Sequence, residues 1–168
     1  MKRALCLLLA FTVIRTWGQD FASRFMNDFS EDTLVHCYTI SPKMMEKLIE
    51  IYEEKELTET NRQHIGYLLS KLKSARFIIG GYRGETYYKH AEELIAKNRK
   101  RFSLLAETSH TPDRERLLYV RKRKEVILEL VLLSLDIRND VFNAVNFTGE
   151  MDREFIQLLS ENEKPQQE

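Results

Sequence analysis

The sequence predicts an α+β domain in two layers, a mostly antiparallel β-sheet with helices packed on one face. Helix-spaced apolar stripes alternate with short strands through residue 101, whereas from Phe102 the apolar period changes to two and strand follows strand. The connections between those later strands are short and polar, which favours antiparallel pairing over crossover connections.

Residues 20–32 set Phe21, Phe25, Met26 and Phe29 at helix-like intervals, predicting a short amphipathic segment that packs on the domain. Residues 34–40 are rich in β-branched and aromatic side chains and read as the first strand. Ser41-Pro42 then signals a helix start, with serine as cap and proline in the first turn. In that helix Met44, Met45, Leu48, Ile49 and Tyr52 form one apolar stripe, while Lys43, Lys47, Glu50, Glu53 and Glu54 face water.

After the polar stretch 58–62, Ile65, Leu68, Leu69 and Leu72 form a second helical stripe leading into a short apolar strand over 75–79, ended by Gly80-Gly81. Residues 85–101 repeat the helical pattern through Tyr88, Ala91, Leu94 and Ile95. The basic run Lys97, Arg99, Lys100 and Arg101 falls in the predicted last turn, where cations complement the helix dipole. Four strands are predicted over 102–107, 116–121, 125–135 and 141–147, the last ended by Thr148-Gly149. Phe155, Ile156, Leu158 and Leu159 are then the apolar side of a final helix.

Residues 1–18 combine Lys2 and Arg3, an apolar run from Ala4 to Ile14, and small side chains at Thr16 and Gly18, the pattern of a secretory signal cut near Gly18. The run is too short to span a bilayer, and Cys6 lies inside it rather than just after it, which argues against lipid attachment. The expectation is an exported chain, periplasmic or associated with the cell envelope. Its organisation is a signal over 1–18, one domain over 19–160 and a polar tail over 161–168.

Cleavage leaves 23 basic against 26 acidic side chains, a formal charge of −3, which argues against a dedicated nucleic-acid binder. Only Cys37 follows the cut, so no internal disulfide is possible and the domain must be held by packing.

Few residues suggest chemistry. His36, His64, His90 and His110 fall in different elements without metal-ligand spacing, and His36 and Cys37, adjacent in a strand, point to opposite faces. Cys37 therefore reads as a buried thiol. Gly80, Gly81 and Gly84 around Tyr82-Arg83 match no phosphate-binding fingerprint and read as a turn. Glu92, Glu93, Glu125 and Glu129 read as solvated faces rather than an acid/base pair, and Asn146-Phe147-Thr148 as an incidental glycosylation sequon. The expectation is a non-catalytic interaction module without a cofactor. The alternative is an exported enzyme with a shallow site.

Two features suggest a partner surface. Arg121, Lys122, Arg123 and Lys124 concentrate four positive charges at a predicted hairpin turn, suited to an acidic partner or anionic lipid headgroups. The long strand 125–135 is apolar on both sides, so the face assigned to Ile127, Glu129, Val131 and Leu133 needs a cover. Three covers are open: another protein, a second copy of the chain, or the segment around Phe21 to Phe29.

Several stretches carry a family resemblance: YTISPKMMEKL at 38–48, LSKLKSARFI at 69–78, YYKHAEELIAKNRKRFSLLAE at 87–107, LYVRKRKEVILELVLL at 118–133 and FNAVNFTGEMDREFIQLL at 142–159. The chain resembles the family of exported Bacteroidetes proteins known as domain of unknown function 4252. The resemblance implies a secreted α+β domain with no assigned catalytic or binding residues. Genes of that family are described beside sigma-factor and anti-sigma-factor genes, which would imply envelope signalling.

Overall fold

Among the described residues eleven elements follow one another: α1 (Phe21–Asp28), β1 (Val35–Ile40), α2 (Pro42–Glu53), α3 (Glu59–Lys71), β2 (Leu72–Gly80), α4 (Gly84–Ala96), β3 (Ser103–Thr111), β4 (Arg114–Arg123), β5 (Val126–Asp136), β6 (Val141–Met151) and α5 (Arg153–Glu161). The structure, a computed structural model, describes residues 19–53, 59–111 and 113–161. The expected signal segment and nearly all of the polar tail lie outside the described residues. Among the described residues no helix is long and apolar enough to cross a membrane.

The six strands form one sheet in the order β1-β2-β6-β5-β4-β3, and every neighbouring pair is antiparallel. The last four strands are a meander, and β6 returns beside β2, so the β1–β2 pair, joined through α2 and α3, and the late meander share one sheet. Helices α1 and α4 cover one face. Their Phe21, Ala22, Phe25, Tyr87, Tyr88, Ala91 and Ile95 pack with Ile78, Val131, Leu133, Leu135, Phe142 and Ala144 of the strands. A smaller cluster forms from strand residues of the opposite parity, Val120, Leu130 and Phe147, against Tyr67 and Leu68 of α3 and Phe155 of α5.

Several boundaries differ from the expectations, β3 and β4 among them by running longer, and three of the differences have a local reason. Helix α4 stops at Ala96 because Asn98 turns back on it, its Nδ2 donating to the Leu94 carbonyl at 2.8 Å and its N–H to that of Ile95 at 2.9 Å. The basic run thus lies beyond the helix rather than in its last turn. Strand β6 runs through Gly149 to Met151, because this glycine permits a close crossing: a Cβ there would sit 2.0 Å from the Lys71 carbonyl oxygen. Leu72, counted in a helical stripe, begins β2 opposite Gly149.

Asp152 starts α5 as its N-cap, Oδ1 accepting the Phe155 N–H at 3.0 Å. The same carboxylate accepts the Tyr67 hydroxyl at 2.7 Å and faces Lys71 Nζ at 3.0 Å, tying α3 to α5. The Tyr67 hydroxyl first, then the Phe155 N–H and Lys71, hold the Asp152 carboxyl at about 2, below its ordinary 3.8. A depressed folded-state value stabilises the fold above 3.8 and loses that contribution as pH falls through the folded value. Asp152→Asn keeps an acceptor for Phe155 and is expected to flatten this acid limb. Urea midpoints between about pH 5 and pH 2 check it, and parallel losses in parent and variant would refute it.

Candidate functional site

Glu129 interrupts the apolar run Val126 to Leu133 of β5, and the fold buries it completely. A buried carboxylate persists only when donors replace its water. Here Oε1 accepts the Phe21 N–H at 2.6 Å and Asn146 Nδ2 at 3.2 Å, and Oε2 accepts Arg121 Nε at 2.8 Å. Phe21 and Ala22 open α1, whose first amide groups have no partner within the helix. The Ala22 N–H donates to Asn146 Oδ1 at 3.2 Å, so both sheet side chains receive the positive end of this helix. Asp20 completes the seat. Its Oδ1 accepts the Ser23 N–H at 2.8 Å as N-cap and pairs with Arg76 Nη1 at 3.0 Å.

Around this seat the two basic runs meet. The β3–β4 register pairs Ser103 with Val120 and Leu104 with Tyr119, which sets the residues just before β3 beside Arg121 and Lys122. Arg24 of α1 donates to Asn98 Oδ1 at 2.8 Å, bringing a third element to the same end. Burial, with the nearby guanidinium groups of Arg24 and Arg121, pushes Arg101 below the usual arginine range. Arg99, Lys100, Lys122, Arg123 and Lys124 are exposed. The β4–β5 hairpin closes through Lys124 and Glu125, with Arg123 paired to Val126 and Lys124 in the left-handed region at φ 57°.

The sequence-predicted partner residues divide into two groups. Lys122, Arg123 and Lys124 stand at the hairpin tip, and Arg121 is part-buried on Glu129. Ile127, Glu129, Val131 and Leu133 are buried within the chain, so the expectation that this face waits for a partner or a second copy is corrected. Of the covers considered, the segment around Phe21 to Phe29 is the one observed, together with α4. Ile127 does not share that face, because the β5–β6 register shifts between Ile127 and Glu129 and turns it toward Val120, Leu130 and Phe155.

Other candidates lie apart. Glu93 and Glu125 are exposed, as solvated faces would be, but Glu129 is not. Glu92 borders two open grooves beside α4, of about 570 and 660 Å³, and partial burial with Glu115 nearby raises its carboxyl. Cys37 is half-buried against the main core, its thiol pushed up by that burial, and Asn146 of the sequon is fully buried. His90 lies between Phe25 and Phe29, with Nε2 2.8 Å from Asp28 Oδ2. Sequence reasoning missed the Glu129–Asn146 pair. The available signal was a carboxylate flanked on both sides by apolar residues in one strand and an amide similarly placed in the next.

A scan of family models matches residues 29–159 to the domain of unknown function DUF4252. The chain belongs to the DUF4252 family. The DUF4252 match begins just after α1, so the helix seated on Glu129 precedes the matched segment. Among solved structures, this DUF4252 chain is similar to PA94, a protein of unknown function from Pseudomonas aeruginosa. That likeness has 9% identity and a TM-score of 0.35, covering 76% of this chain and 75% of the other. No curated protein matches the chain.

Proposed function

We propose that this protein is an exported, non-catalytic interaction module of the cell envelope, acting through its basic end. The observation that carries the reading is the meeting of residues 97–101 and 121–124 on one surface, set by the β3–β4 register. Concentrated cations in a chain whose formal charge balances to zero mark a surface specialised for an anionic partner. The pattern of residues 1–18 supports the exported location.

Fractionation of cells making the tagged full chain tests both parts. The expected result is recovery with the envelope and release by high salt. Lys122→Glu/Arg123→Glu/Lys124→Glu should move the chain to the soluble fraction without changing its unfolding temperature, because these side chains are exposed. Retention in the cytosol would remove the export reading, and an envelope fraction indifferent to the triple substitution would remove the basic-end reading.

A further inference from the structure

Resting on that reading, we propose that the anionic partner is the headgroup layer of a lipid bilayer, on which the basic end docks. The cations do not converge on a pocket. They come from three places, the turns after α4, the β4–β5 tip and α1, and among the described residues Lys100, Lys122, Arg123 and Lys124 make no ion pair. Exposed cations spread over one end rather than gathered in a pocket suit an extended charged layer, whose attraction adds up charge by charge within a Debye length.

Large apolar side chains stand exposed at the same end. Val126 is 39% exposed opposite Arg123, and Leu104 and Leu105 are 47% and 38% exposed just beyond the run ending at Arg101. Cations with exposed aliphatic groups among them match a surface that is anionic outside and apolar beneath. The Phe21 N–H donates to Glu129, which Arg121 holds, so α1 also begins at the basic end.

Sedimentation of the purified, naturally processed chain with phosphatidylcholine vesicles, with and without phosphatidylglycerol, tests the proposal. Expected is binding at least about tenfold stronger to the phosphatidylglycerol vesicles, suppressed by salt. Lys122→Glu/Arg123→Glu/Lys124→Glu should abolish it, and Arg99→Glu/Lys100→Glu, on the other run, should weaken it at least about tenfold. Equal binding to both vesicle types, or binding insensitive to both variants, overturns the proposal. So does absence of vesicle binding by a chain whose envelope retention still depends on Lys122, Arg123 and Lys124; that result assigns the surface to an acidic macromolecule and leaves the interaction reading standing. Loss of both dependences overturns the two together.

Discussion

Glu129→Ala is expected to lower folding stability by about 3–5 kcal/mol, since removing one partner of a buried charged pair strands the other. Three donors lose their acceptor at once: the Phe21 N–H, Asn146 Nδ2 and the Arg121 guanidinium. Glu129→Gln preserves shape and one acceptor oxygen but sets an amide against donors, so an intermediate loss is expected. Urea unfolding of the three proteins at neutral pH provides the measurement. A cost below about 1 kcal/mol for the alanine variant would mean that water or Arg121 relaxation replaces the network.

Phe25→Ala is expected to cost a similar amount, about 3–5 kcal/mol, by opening a cavity where four rings converge. Phe25 is fully buried, with ring centroids of Phe29, Phe142, Phe21 and His90 at 4.8, 5.3, 5.8 and 5.9 Å. Its loss should loosen α1, so proteolysis in the loop over 29–34 is expected to quicken. Because Glu129 and Phe25 hold the same helix, the double variant should cost less than the sum of its parts. Full additivity in a double-mutant cycle would show that the two residues act on separate units.

Those expectations also mark how far the sequence could be read. Periodicity was sufficient for the elements and for antiparallel pairing, because alternation over 102–147 leaves few other arrangements. It was insufficient for parity along β5. A register shift between Ile127 and Glu129 reverses which side chains share a face, and a strand apolar on both sides carries no local sign of that shift. Likewise Glu129 looked solvated because its three donors come from residues 21, 121 and 146, remote in sequence from one another. The basic hairpin was visible locally. Its union with Lys97 to Arg101 depended on Asn98 ending α4 early and on the β3–β4 register.

The seat of α1 also has a consequence in time. Phe21 and Ala22 bond to partners 108 and 124 residues further along the chain. In a chain synthesised, and on our reading exported, from its amino end, α1 can pack on β1 and α4 early but waits for β5 and β6 before its amino end is seated and Phe25 meets Phe142. Until then the Phe21 and Ala22 N–H groups lack these partners, and long-range pairing of this kind is slow to form. The interval between delivery of α1 and completion of β6 is therefore when this helix is least firmly held.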